Sequence, residues 1–197
     1  PKDLLAAADN AVRGEAFPCD IGQFNDDVFV YIAAFGLFTD VSYETRQELK
    51  NVLGHLAYIL EGAKRLFNVP SYKIKVTHDD EAIADEFIYG MITNSYSVGG
   101  FKSIAGNVFK GDIALNDGLF EVTLIKMPKN PMELNSILAA LAIQNIDTQY
   151  MYSFKSGRLM IESKEEVAWT LDGEFGGKHR EVTLVNEKQA MDIMVKE

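Results

Sequence analysis

Along most of this chain apolar and polar residues alternate with period two, the spacing that turns one side of a strand to a core and the other to water. Such runs cover residues 17–24, 28–35, 72–77, 82–94, 117–127, 148–153, 158–163, 167–171 and 181–185. Between the first two stand Asn25, Asp26 and Asp27, three polar turn formers that predict a hairpin. The period changes over residues 43–67. There Leu49, Val52, Leu56, Ile59, Leu60 and Ala63 recur at three- and four-residue spacing, with Glu44, Lys50 and Glu61 on the other face. Thr39, Asp40 or Ser42 can cap this amphipathic helix, and Pro70 stops it. A second helix opens at Asn130-Pro131-Met132-Glu133, with a cap, Pro at the first helical position and Glu at the third; Leu134, Ile137, Leu138 and Leu141 form its apolar stripe. A short helix over residues 1–15 has Pro1 in its first turn and Gly14 near its end. Many short strands, few helices and no internal repeat predict a single domain, residues 1–197. It should be mainly β with two or three helices, its antiparallel strands forming a β-sandwich or barrel.

Composition narrows the partners. A chain of 197 residues, 47% of them hydrophobic, has ample material for a core. The formal net charge of −10 excludes nucleic acid as a partner, because phosphate binding needs clustered Lys and Arg. It also opposes general attraction to an anionic bilayer, so that membrane contact would be local, for example through Lys102 and Lys110. The single cysteine, Cys19, cannot form an intrachain disulfide, which makes a reducing cytoplasm the expected compartment. No apolar run approaches the ~20 residues of a membrane helix, and no signal peptide opens the chain. His55, His78 and His179 lie far apart with no paired metal-ligand spacing, which argues against zinc.

The chemistry-bearing stretches are two. Residues 94–122 read N-S-Y-S-V-G-G-F-K-S-I-A-G-N-V-F-K-G-D-I-A-L-N-D-G-L-F-E-V, a long loop with Gly99, Gly100, Gly106, Gly111 and Gly118 between two strand patterns. A loop of that length within a domain is commonly functional, and its glycines permit close backbone approach to a ligand. Within it, Asn116-Asp117-Gly118-Leu119 is either a tight turn or a site for a hard cation, magnesium being suited to one carboxylate with carbonyls and water. The second stretch is Trp169-Thr-Leu-Asp-Gly-Glu174. Asp172-Gly173 is first a hairpin signal, with Glu174 a solvated strand residue. Alternatively the two carboxylates project from a rigid turn toward one site, to hold a metal or take a proton from a hydroxyl.

The N-S-x-S-V-G-G-F and D-G-L-F-E-V pieces, with the late D-G-E of residues 172–174, resemble the carboxy-terminal half of bacterial diacylglycerol kinases and related lipid kinases. The resemblance runs over essentially the whole chain. It implies the β-sandwich second lobe of a two-lobed fold shared with NAD kinases, and ATP-dependent transfer of a phosphoryl group to the hydroxyl of diacylglycerol or a similar lipid at a membrane surface. By motif match it makes Glu174 the general base and Asp172 its acidic neighbour. It places a structural magnesium at Asp117 with main-chain oxygens of Ala114 and Leu119. ATP would be held mainly by the other lobe, and pairing of two copies is left open.

The chain departs from that family's pattern by absence: neither G-G-D-G-T nor G-T-x-N-D-F-A occurs. The expectation is therefore a second lobe cut after the nucleotide-binding motifs, without kinase activity of its own. Two alternatives stay open. One is a NAD-kinase-like or sphingoid-type kinase lobe. The other is a non-catalytic β-sandwich that binds lipid or protein, with Asp172 and Glu174 as surface turn residues.

Overall fold

A computed structural model describes residues 3–36, 70–95, 114–142 and 149–195 of the chain. In chain order its elements are α1 (Leu4–Arg13), β1 (Glu15–Phe24), β2 (Asp27–Phe29), β3 (Ile32–Gly36), β4 (Tyr72–His78), β5 (Glu81–Thr93), β6 (Phe120–Lys126), α2 (Pro131–Ala142), β7 (Met151–Ser156), β8 (Arg158–Leu171) and β9 (Glu174–Val195). Every strand pair is antiparallel, as the alternating pattern predicts. The helix expected over residues 43–67 and most of the glycine-rich loop lie outside the described residues. No helix among the described residues is long and apolar enough to cross a membrane.

The strands form one sheet in the order β2-β1-β9-β8-β3-β5-β6-β7. β3 and β4 occupy a single position end to end. β3 pairs with the far ends of β5 and β8, and β4 pairs with their near ends. β8 changes register between Glu162 and Val167, where the pairing with β4 gives out and that with β3 has yet to begin. The two short strands expected at 158–163 and 167–171 are thus one bulged strand. β9 is longer than its apolar pattern suggests, 22 residues, because its first half pairs with β8 and its second half with β1.

The sheet closes on itself around an aromatic core. Phe29 of β2 stacks on Phe120 of β6 with centroids 5.6 Å apart, and the fully buried Trp169 meets Phe24 and Phe35 edge-on at 5.0 and 4.9 Å. A second apolar layer lies outside β3, β5 and β6, where Ile137 and Ala140 of α2 cover Ala34, Ile88, Met91 and Ile125. Apolar burial on both faces explains the unbroken buried run at the end of β5. Both helix starts follow capping rules. Asp3 accepts from Leu5 N and Ala6 N at 3.0 Å, and Asn130 accepts from Met132 N and Glu133 N at 3.0 Å. Glu133 reaches back to Lys129 N at 2.7 Å. Of the expected stripe on α2, Ile137 is buried and Leu134 half-buried, while the side chains of Leu138 and Leu141 are outside the described set.

One apolar run is divided. The alternation over 28–35 reads as a single strand, yet β2 ends at Phe29 and β3 begins at Ile32. Val30 and Tyr31 form a corner, after which the chain leaves β1 and pairs with β5 and β8. The physical reason lies in the amides of Val30, Tyr31 and Ile32, which turn to a carboxylate instead of a neighbouring strand.

Inside the core the Phe35 ring lies over Gly90, where a Cβ would overlap it. Gly90→Ala should therefore cost about 1–3 kcal/mol through displacement of that ring. Denaturant unfolding checks this, and an unchanged midpoint would show that the ring moves freely.

Candidate active site

Asp172 and Gly173 connect β8 to β9, with Leu171 opposite Glu174. Both turn residues have positive φ, 50° and 89°, the geometry of a type I′ turn, whose twist matches that of the flanking strands. The hairpin expected from the Asp-Gly pair is present, but its aspartate has a second task. Asp172 Oδ2 accepts from Val30 N at 2.7 Å, and Oδ1 accepts from Tyr31 N and Ile32 N at 2.8 Å. Asp172 N in turn donates to Ile32 O at 2.8 Å. Short bonds from several amides to one carboxylate are strong. They lock the turn to the corner between β2 and β3. Glu174 is exposed on the first residue of β9, next to exposed Phe175. The turn thus carries one carboxylate absorbed by main chain and one presented at the surface.

The Asn116-Asp117-Gly118-Leu119 segment is the second candidate. Asp117 Oδ1 accepts from Leu119 N at 3.0 Å, closing a local turn, and Gly118 takes φ +85°. Lys155 Nζ from β7 lies 3.5 Å from Asp117 Oδ2 and 3.3 Å from Glu121 Oε1. Glu121 is buried, and neither of its oxygens has an aligned hydrogen bond among the described residues. Burial pushes its carboxyl up to about 7, Lys155 pulls the other way and Asp117 adds to the rise. Two carboxylates therefore share one ammonium. That surplus of negative charge fits a cation, and one carboxylate with the carbonyls of Ala114 and Leu119 is a donor set magnesium accepts. No cluster of three or more His, Cys, Asp or Glu side chains suited to a metal occurs among the described residues.

A chain of hydrogen bonds joins the two candidates. Tyr31, whose amide is held by Asp172, accepts through its carbonyl from Asn94 N at 3.2 Å and Thr93 Oγ1 at 2.8 Å. Asn94 Nδ2 donates to Asp20 O at 2.7 Å. The fully buried Asp20 carboxylate accepts from Gly118 N at 2.6 Å and Gln189 N at 2.7 Å. Asp172, Glu174, Ala114, Asp117 and Leu119 therefore belong to segments bonded into one network, whose connecting members, Asn94 and Asp20, sequence reasoning missed. The signal for Asp20 is a charged residue sharing the strand parity of Gly22 and Phe24 in an apolar run. Glu121 gave no such signal, because it sits in the alternation as a polar residue should.

No family model matches the chain. It is 33% identical over 176 residues to a protein named diacylglycerol kinase from Bacillus subtilis (strain 168), covering 89% of this chain and 56% of that protein. A protein of the same name from Staphylococcus saprophyticus is 30% identical over 180 residues, covering 90% of this chain and 57% of its own length. The chain thus spans little more than half of these relatives. A crystal structure of a diacylglycerol kinase from Bacillus anthracis str. Sterne matches 100% of the chain at TM-score 0.72 and 20% identity, over 62% of its own length, which establishes a shared fold.

Asp172→Ala should cost about 2–4 kcal/mol, because three amides lose one shared acceptor, whereas Glu174→Gln, at an exposed position, should change stability by no more than about 0.5 kcal/mol. Paired urea titrations check the contrast, and equal effects would contradict it. In metal-free buffer Glu121 gives a pH signature. Its folded carboxyl titrates higher than its unfolded one, so its contribution is present below about pH 4.5 and lost as pH rises toward about 7. Glu121→Gln should flatten that slope and stabilise the protein at pH 8 by up to about 3 kcal/mol. Thermal melts from pH 4 to 8 test it.

Proposed function

Starting from a chain similar to bacterial diacylglycerol kinases over about nine-tenths of its length, we propose that it forms the lipid-side lobe of an ATP-dependent lipid kinase. The parent protein transfers the γ-phosphoryl group of ATP to the free hydroxyl of diacylglycerol or a related lipid, giving phosphatidic acid. The observation that carries the reading is the division of labour at the Asp172–Glu174 turn. Asp172 spends both oxygens on the amides of Val30, Tyr31 and Ile32 and so positions the turn. Glu174, exposed at the surface of the same turn, is the carboxylate this reading assigns to orient the acceptor hydroxyl and take its proton.

The surroundings suit a lipid. Val30, whose amide is bonded to Asp172, and Phe175, next to Glu174, are large apolar residues exposed at 42% and 54%. Exposed apolar groups at this turn and at the corner it caps offer a surface to acyl chains where a water-soluble acceptor would need polar partners. Magnesium would be held by Asp117 with the main-chain oxygens of Ala114 and Leu119, and there it would neutralise negative charge and brace the loop. The nucleotide would be bound by the part of the longer protein that this chain does not span.

In that longer protein, Glu174→Gln should lower turnover by about 10²–10⁴ while the melting temperature stays within error of the parent. The 197-residue chain alone should make no phosphatidic acid from ATP and diacylglycerol. Mass-resolved detection of the phosphorylated lipid decides both. Full activity of the Gln variant would remove Glu174 from the reaction, and a folded parent inactive on every lipid hydroxyl would favour a binding module.

A further inference from the structure

The hairpin that carries Glu174 is not evenly paired beyond its turn. Leu171↔Glu174 and Thr170↔Phe175 follow the turn directly, but the next pair is Ala168↔Lys178, so Trp169 of β8 stands opposite two residues of β9, Gly176 and Gly177. The extra residue makes a bulge, and Gly177 takes φ +89° within it. Two consecutive glycines have more backbone freedom than any other pair, and here they begin two residues after Glu174. His179 spans them. Its Nε2 lies 2.9 Å from Gly176 O, and because a carbonyl oxygen only accepts, Nε2 carries the proton and donates. A Cβ on Gly177 would come to 2.6 Å from the same Nε2, so the ring can sit there only against glycine. The imidazole also meets Phe24 edge-on with centroids 5.4 Å apart, and Phe24 in turn meets Trp169. One side chain thereby ties the bulged arm to the aromatic core.

We infer that His179 is a positioning residue that holds the outgoing arm of the turn and so fixes the direction of the Glu174 carboxylate, an inference that rests on the reading of Glu174 as the base. Asp172 secures the turn from the β8 side, through the amides of Val30, Tyr31 and Ile32. That hold ends at Asp172, and the two ladder pairs that follow it run straight into the glycines. His179 closes the arm from the other end. Glu174 and Phe175 are then held between two fixed points, the Asp172 carboxylate and the imidazole. A base needs such restraint, because a displacement of about 1 Å can cost about 10²-fold in rate.

Two substitutions test this. His179→Phe keeps an aromatic ring against Phe24 and removes the donor, whereas His179→Gln brings an amide donor within reach of Gly176 O. In the longer protein, kcat of the Phe variant should fall by about tenfold or more with KM within about twofold, and the Gln variant should recover kcat to within about threefold of the parent. On the 197-residue chain, nitrogen-15 relaxation should show the order parameters of Glu174, Phe175 and Gly176 dropping from about 0.85 to below about 0.6 in the Phe variant and staying high in the Gln variant. Val182→Ala, a core truncation in β9, is the control: it lowers the melting temperature and should leave kcat, KM and these order parameters at wild-type values. Wild-type kcat and order in His179→Phe, or equal losses in the Phe and Gln variants, would overturn the assignment. Should the Phe variant not fold, the wild-type ring decides. A two-bond proton–nitrogen spectrum with the proton on Nε2 of His179 supports the hold, and a proton on Nδ1 alone refutes it. If Glu174→Gln keeps full activity in the longer protein, the reading of Glu174 as the base fails by itself, and the order parameters decide on His179.

Discussion

The sheet closes where Phe29 stacks on Phe120, a contact between β2 and β6 across the five strands that separate them in sheet order. Everything else in the fold accommodates that closure. The inner apolar face needs a second layer, and here that layer is the sheet's own far end, so the enclosed core receives residues from β1 to β6, β8 and β9. Closing at this radius is incompatible with straight, evenly paired strands. Accordingly β8 bulges, β9 changes partner midway, and β3 and β4 share one position between the same two neighbours.

Corners leave main-chain donors without a strand to pair with, and two aspartates take them up. Asp172 receives three amides and Asp20 two, the latter with no exposed surface at all. Such a carboxylate is cheaper to bury than an isolated one because its charge is met by aligned dipoles. The consequence for chemistry is a separation of roles. The acids that look most conspicuous in an apolar context hold backbone in place, whereas Glu174 stands exposed at the surface. Glu121 is the contrasting case. It is buried without an aligned hydrogen bond, it shares Lys155 with Asp117, and its carboxyl is pushed up to about 7.

Local rules were legible wherever neighbours in sequence settle the structure. The Asn130–Glu133 start of α2, the Asp-Gly turn and the antiparallel alternation each depend on contacts within a few residues, and each stands as expected. The division of residues 28–35 did not show, because its cause, the Asp172 carboxylate, lies about 140 positions away. Nor did the full length of β9, whose second half is charged on its open face and becomes a strand because β1 pairs with it.

The amino-acid sequence by itself determined the secondary structure class, the antiparallel arrangement, the two turns that carry candidate acids and the likeness to diacylglycerol kinases. These follow from side-chain period, capping chemistry and motif wording, all of which are written along the chain. Tertiary structure decided which acids are holders and which one is presented. A carboxylate's role depends on the donors around it, and for Asp20 and Asp172 those donors come from distant segments that meet only when the sheet closes.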